Sequence, residues 1–303
     1  MLFASVSSSV SPSVSSSVCV RDALSFARER IGPVDARALL QHVTGFGHAR
    51  FASAPERQLD PRAWQDFEAL VVRRAAGEPV AYLIGWREFY GRRFSVTPDV
   101  LIPRPETELL VDLVLRERDR AQRLQILDLG TGSGVLAITM ALELPRADVT
   151  ATDVSPAALA VARGNADALG ARVHFIESDW WSALADRRFD LIVSNPPYIA
   201  PADPHLGQGD LRFEPRGALV GRGRAGAGDL AEIVRSARAN LRPFGSLLVE
   251  HGWDQGAAVR ASLSAAGFDA VTTTKDLGGN DRATSGISNP EAAPAPRPAD
   301  PRV

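Results

Sequence analysis

The chain has 303 residues, 45% of them hydrophobic, which is enough to bury a sizeable core in one or two domains, and no run of residues reaches the length of a membrane span. Its formal charge of −2 argues against a generally basic nucleic-acid surface, and its single cysteine, Cys19, has no partner for an internal disulfide. With no clean signal peptide, these features point to a reducing cytoplasm. Lys275 is the only lysine, so scattered arginines supply nearly all the positive charge, a bias that reads as genome composition.

Residues 4–18 are almost entirely serine and valine, too polar to pack, and the leader 1–19 is expected to be disordered. Ala23, Leu24, Ala27 and Ile31 then recur at helix spacing, as do Ala38, Leu39 and Val43 beyond a break at Gly32 and Pro33. A third helix is punctuated by Asp60 as its cap, Pro61 at its first position, an apolar face of Trp64, Phe67, Leu70 and Val71, and a stop at Gly77 and Pro79. Residues 20–84 are therefore expected to form a helical domain, with a surface suited to docking a substrate. The stretch 85–103 mixes aromatic and β-branched residues with glycine and proline, and reads as a hairpin-like connector.

Across 104–288 the period changes. Apolar runs at 124–129, 149–152, 172–176, 189–193 and 245–249 alternate with helical segments near 134–144, 156–169, 228–241 and 255–266. Strands apolar on both faces and separated by helices predict an α/β fold with a mostly parallel, doubly wound sheet. The segments 268–275 and 282–287 are expected to add late, antiparallel strands, and 289–303 reads as a disordered tail.

Three expected strand ends carry candidate ligand groups. "DLGTGSG" places Gly130, Thr131, Gly132, Ser133 and Gly134 at the first strand-to-helix turn, where glycines permit close approach and leave amides exposed at the helix start. The spacing differs from the G-x-G-x-x-G of dinucleotide sites, and no Gly-Lys-Ser/Thr follows to hold phosphates. Asp128, just before the turn, would repel a pyrophosphate but can accept hydrogen bonds from an amine or hydroxyl. Asp153 ends the second strand, roughly 20 residues on, where a carboxylate can take both ribose hydroxyls. Asp179 and Trp180 end the third and can meet an adenine amino group and ring face. Singly, Asp153 also reads as a neighbour of the capping Ser155, and Trp180 or Trp181 as core. In this order they point to S-adenosylmethionine. "GRGRAG" at 221–226 matches G-x-G-x-x-G but follows only a short apolar stub, and reads as a flexible loop.

The fourth strand delivers Asn195 to the same edge, beside the expected methyl, followed by Pro196, Pro197 and Tyr198. The prolines hold the chain extended and lack N–H groups, so Asn195 can offer its side-chain oxygen beside the carbonyl of Pro196. Two acceptors and the ring of Tyr198 fit a planar NH₂ group; taken alone, the segment reads as a rigid strand exit, and the cofactor motif beside it turns the reading toward the amide. This scheme requires no metal, and His42, His48, His174, His205 and His251 lack metal-ligand spacing. The long connection 199–226, with Asp210, Arg212 and Glu214, is expected to be a substrate-contacting flap.

"DLGTGSG", "ATDVSPAALAVARGNA", "SDWWSAL" and "SNPPYI" together resemble the amino-methyltransferases that act on planar nitrogens. "FYGRRFSV", "LIPRPETE", "DPHLGQGDLRFEP" and "LLVEHGWDQG" resemble the peptide chain release factor glutamine methyltransferases over nearly all of 20–286. That resemblance implies a class I S-adenosylmethionine-dependent methyltransferase fold, Rossmann-like, with a small N-terminal helical domain. It implies class I release factors as substrates, methylated on the glutamine amide of a Gly-Gly-Gln loop. It further implies that Asn195, Pro196, Pro197 and Tyr198 hold the amide and that Gly130 to Gly134, Asp153 and Trp180 bind the cofactor. A nucleic-acid amino-methyltransferase, a ribosomal-protein glutamine methyltransferase and a binding module without turnover are the alternatives. The even charge weakens the first, "RPETE" and "EHGW" the second, and the intact Asn-Pro-Pro-Tyr segment the third.

Overall fold

The computed structural model describes residues 17–290, which separate into two compact units between Ile84 and Gly85. The expectations of disorder for 1–16 and 291–303 lie outside the described residues. At the inner ends of those segments the structure corrects them. Cys19 is buried and bridges Gln58, and the Val18 carbonyl accepts from the Leu59 N–H at 2.8 Å. Asn289 donates from its side chain to Asp269 and accepts from Arg238 through its carbonyl.

The first unit is helical: α1 Val20–Thr44, α2 His48–Ser53, α3 Pro61–Ala75 and α4 Val80–Ile84. Gly32 breaks the helical path of α1 with φ 79°, at the position where Pro33 removes a donor. Asp60 caps α3, accepting from the amide of Arg62 at 2.9 Å and from that of Ala63. Leu39, Leu40, Phe67 and Val71 form its fully buried centre. The two short helices α2 and α4 are too brief to show a period in the sequence.

The second unit opens with the antiparallel hairpin β1 Trp86–Phe89 and β2 Arg92–Ser95, turning at Tyr90 and Gly91, both at positive φ as a two-residue hairpin turn demands. A 3₁₀ turn, Pro105–Thr107, leads into α5 Glu108–Glu117. The prolines before α5 mask it in the sequence, yet Leu110, Val111 and Val114 on one face are buried. The strands β3 Gln125–Leu129, β4 Asp148–Asp153 and β5 His174–Glu177 are linked by α6 Val135–Glu143 and α7 Pro156–Leu169; β6 Phe189–Ser194 follows β5 without a helix, and α8 Arg216–Leu219 and α9 Gly228–Ala237 lead to β7 Leu241–Glu250. After α10 Gly256–Ala265 come β8 Phe268–Lys275 and β9 Asp281–Ser288.

One seven-stranded sheet results, ordered β5-β4-β3-β6-β7-β9-β8, parallel from β5 to β7 and antiparallel at β9 and β8. Neighbouring residues on β3 serve opposite faces. Ile126 packs with α5, α6 and α7, whereas Leu127 and Leu129 pack with α9 and α10. The chain runs outward from β3 through β4 to β5 and returns to β6 on the other side of β3, leaving a crevice beyond their carboxyl ends. Leu129 on β3 lies opposite Ser194 on β6, so the register sets the glycine turn beside Asn195.

The segment 199–226 carries 3₁₀ turns at Pro204–Gly207 and Gly209–Phe213, followed by α8. Two expectations for it are corrected. Glu214, assigned to a substrate-contacting flap, is 4% exposed, pairs with Arg104 and accepts from the Ile102 amide at 3.0 Å. "GRGRAG" is a packed turn: Gly221 and Gly226 are buried, and the Gly221 amide donates to the Ile199 carbonyl at 3.1 Å. A Cβ on Gly221 would stand 1.9 Å from the Gly226 carbonyl oxygen and 2.6 Å from that of Pro197. A Cβ on Gly226 would stand 2.6 Å from the Tyr198 carbonyl oxygen. The glycines allow backbone to lie directly on the Asn195–Tyr198 turn, so Gly221→Ala is expected to cost at least about 1–3 kcal/mol. Gly207→Ala, with nothing within 4 Å, is expected to stay within about 0.5 kcal/mol, both read from urea unfolding midpoints.

Candidate functional site

A cavity of about 470 Å³ opens at the carboxyl edge of the sheet, where the turns after β3, β4, β5 and β6 converge. It is lined by Asp128, Gly130, Thr131, Gly132, Ser133, Asp153, Asp179, Trp180, Asn195 and Pro197. Gly134, Pro196 and Tyr198 do not line it. Gly134, at φ 85°, makes room for helix packing instead, since a Cβ there would meet Ile138 and Ala162.

The turn after β3 works differently from its expected role. The amides of Gly130 and Thr131 donate to the Thr152 carbonyl at 2.9 and 2.8 Å, that of Gly132 to Asp153 Oδ2 at 2.9 Å, and that of Gly134 to the Thr131 carbonyl at 2.8 Å. These four are spent inside the protein, so the turn gives a close-fitting wall rather than an array of exposed donors. Positive φ at Gly130, Gly132 and Gly134 makes that path possible.

Asp128 is 1% exposed; its Oδ2 accepts from Thr131 Oγ1 at 2.7 Å and from the Ala137 amide at 3.2 Å, while its Oδ1 has no partner. Burial pushes its carboxyl up to about 7, against the lowering effect of those two hydrogen bonds. A buried carboxylate oxygen with no donor, on the cavity wall, fits a cationic or N–H-bearing ligand group. Asp153 accepts from Ser155 at Oδ1 and from Gly132 at Oδ2, each at 2.9 Å, so the reading of a cap neighbour and that of a cavity carboxylate both apply. Burial raises its pKa too.

Trp180 sits at φ 45°, a strained position for a bulky residue, and its ring passes 3.3 Å from where a Gly130 Cβ would stand. Its Nε1 donates to Asp229 Oδ1 at 3.1 Å. Asp229, buried on α9, also accepts from the amide and Nε of Arg222 at 2.7 and 2.6 Å. This clamp holds the indole against the cavity while its other edge joins the core.

At the end of β6, Asn195 Nδ2 donates to Thr107 Oγ1 at 3.0 Å. Its Oδ1 has no protein donor among the described residues, and Asn195 faces the cavity. Tyr198 packs against the core and donates its hydroxyl to Glu250 Oε1 at 3.1 Å. Burial and that carboxylate push the phenol well above its usual range. Glu250, at the end of β7, is 1% exposed and held up to about 7 by burial.

Matches to known families accord with this architecture. Residues 20–85 match the PrmC N-terminal domain, and residues 105–208 match the methyltransferase small domain. A release factor glutamine methyltransferase of Bordetella pertussis is 51% identical over 254 residues, covering 84% of this chain and 94% of that one. The chain belongs to the release factor glutamine methyltransferase family. The Escherichia coli member is 47% identical over 253 residues, covering 83% of this chain and 91% of its own. A methyltransferase of Pyrococcus furiosus, 17% identical, shares the fold with a TM-score of 0.50 over 73% of this chain and 98% of its own.

Three contributors went unread as site residues: Thr107, Asp229 and Glu250. Thr107 lies in "RPETE" and Glu250 in "EHGW", and nothing local in the sequence shows that the two meet; Asp229 is one acid in an amphipathic helix. Asp128 yields a test by linkage. A carboxyl with a raised folded pKa stabilises the fold below its unfolded value, roughly 4, and that contribution is lost as pH rises through about 7. Relative to the unaltered chain, Asp128→Asn is expected to gain about 2–3 kcal/mol between pH 5 and pH 8 in urea unfolding of the cofactor-free protein. An equal difference at both pH values would show that the carboxyl is unperturbed.

Proposed function

We propose that the chain transfers the methyl group of S-adenosylmethionine to the side-chain amide nitrogen of the glutamine in the Gly-Gly-Gln loop of class I release factors, modulating translation termination in the cytoplasm. The observation that carries this reading is the Asn195 amide. Its NH₂ is engaged by Thr107, which leaves a carbonyl oxygen for a ligand N–H at the cavity wall. The family supplies the substrate class, and the relatives named above carry this activity in their names.

The residues around the cavity fit the methyl donor. Asp128 Oδ1, unpartnered and buried, suits the cofactor's ammonium; Asp153 suits the ribose hydroxyls, with charge-assisted bonds worth roughly 1.5–3 kcal/mol each. Asp179 and Trp180 suit the adenine, and the close glycine wall suits the chain between. When bound, S-adenosylmethionine would supply an electrophilic methyl carried on a sulfonium, the S–CH₃ bond breaking with its electron pair left on sulfur and S-adenosylhomocysteine departing as the neutral thioether.

A glutamine amide nitrogen is a weak nucleophile because its lone pair is delocalised into the carbonyl. Asn195 Oδ1 and the Pro196 carbonyl are assigned the two N–H bonds. By accepting both, they draw electron density to the nitrogen and favour its rehybridisation as the N–C bond forms. One of the two protons is then released to solvent. Pro196 and Pro197 have no N–H groups to compete, and their fixed φ keeps both acceptors in place. Tyr198, tied to Glu250, is assigned a supporting face for the amide plane. Fixing the geometry in advance accounts for much of the acceleration, within a limit of roughly 7–11 kcal/mol.

Incubation with methyl-labelled S-adenosylmethionine and, separately, a class I release factor, its Gln-to-Ala loop variant, ribosomal protein, DNA and RNA tests the reading. Label is expected on the release factor and not on its variant; label on nucleic acid alone would overturn the assignment. Asn195→Ala is expected to lower transfer by at least about 100-fold with little change in cofactor affinity, whereas Asp153→Ala is expected to weaken cofactor binding by roughly 10- to 100-fold in calorimetric titration.

A further inference from the structure

We propose that Glu250 is a positioning residue that, acting through Thr107, sets which end of the Asn195 amide faces the substrate. The inference rests on the glutamine methyl transfer proposed above and assigns its polarity to residues outside the Asn-Pro-Pro-Tyr segment.

Thr107 closes the 3₁₀ turn before α5, and Glu250 closes β7; both are buried, at 3% and 1% exposure. Thr107 Oγ1 donates to Glu250 Oε2 at 2.7 Å, and Tyr198 Oη donates to Glu250 Oε1 at 3.1 Å. A hydroxyl has a single proton, and an ionised carboxylate can only accept. With the Thr107 proton committed to Glu250, its oxygen has only lone pairs left for Asn195. The end of the Asn195 amide that faces Thr107 must therefore be its NH₂, as the 3.0 Å contact from Nδ2 shows. Oδ1 is then turned away, free to accept. One buried carboxyl group that accepts at both oxygens thus orders the side chains in a single donor direction, from Asn195 to Thr107 to Glu250. Burial opposes ionisation of Glu250 most strongly and Glu106 adds to it, while the hydrogen bonds from Thr107 and Tyr198 and the charge of Arg282, held by Asp276 at 3.0 Å, favour the ionised form.

An amide at position 250 would carry one acceptor and one donor end. If its NH₂ faced Thr107, the threonine would have to accept, its proton would turn to Asn195, and the asparagine would present NH₂ to an NH₂ substrate. If the NH₂ faced Tyr198, the phenol would lose its acceptor. Either orientation breaks one arm of the support, although shape and volume are nearly unchanged.

The test is methyl transfer to a release factor by the full chain and by Glu250→Gln, Thr107→Val, Thr107→Ser and the double variant Glu250→Gln/Thr107→Val, with cofactor Kd and unfolding midpoint measured for each. Glu250→Gln and Thr107→Val are expected to lower kcat by roughly 10- to 100-fold, with cofactor Kd within about threefold of the unaltered chain. Thr107→Ser, which restores the hydroxyl, is expected to recover kcat to within about threefold, and the double variant to lose no more than about threefold beyond the worse single one. A Glu250→Gln enzyme with unchanged kcat, a serine variant as impaired as the valine one, or losses that multiply would each overturn the inference. If Glu250→Gln does not fold, the Thr107 pair decides the matter alone. Absence of transfer by the unaltered chain would overturn the functional reading instead, so the two failures are distinguishable.

Discussion

Asn195 has a single amide with one donor end and one acceptor end, and its donor end is already engaged by Thr107 at 3.0 Å. The remaining oxygen can serve a substrate only if the turn around it does not move. That turn is held from several directions. Tyr198 bonds Glu250 through its hydroxyl and accepts from Gln255 Nε2 at 3.0 Å through its carbonyl, while the backbone of Gly221 and Gly226 presses on Pro197, Tyr198 and Ile199. The stiffness of consecutive prolines is only the local part of the design. Most of the restraint comes from residues distant in sequence, on the turn before α5, the end of β7 and the segment before α9.

The opposite wall shows the same economy in another form. Asp128 and Asp153 are carboxylates with raised pKa values, so keeping them ionised costs the folded chain stability. Trp180 holds a left-handed backbone, and Asp229 pins its indole. The unpartnered oxygen of Asp128 and the left-handed backbone of Trp180 both lie on the cavity wall at this edge of the sheet. Concentrated local costs of this kind mark a surface prepared for a ligand.

The sheet was legible because strands buried on both faces, with helices between them, leave a pattern readable from neighbours alone. The cavity-lining set from Asp128 to Trp180 was legible because strand ends on one edge must face the same crevice. Reading failed where the deciding partner is remote. Glu214 looked like a loop acid until Arg104 and the Ile102 amide closed on it. "GRGRAG" looked mobile because nothing within it shows that its glycines meet Pro197 and Tyr198. The glycine turn's amides looked available, but only the β3–β4 pairing places the Thr152 carbonyl to take two of them. α5 was hidden by the prolines that precede it.

In the proposed reaction a planar amide is gripped by Asn195 Oδ1 and the Pro196 carbonyl. A crystal structure with S-adenosylhomocysteine and a peptide containing Gly-Gly-Gln tests it most directly. The glutamine nitrogen is expected within hydrogen-bond distance of both oxygens, with Asn195 Nδ2 still on Thr107. A glutamine bound elsewhere in the cavity, or an Asn195 that presents its NH₂ to the substrate, would contradict it.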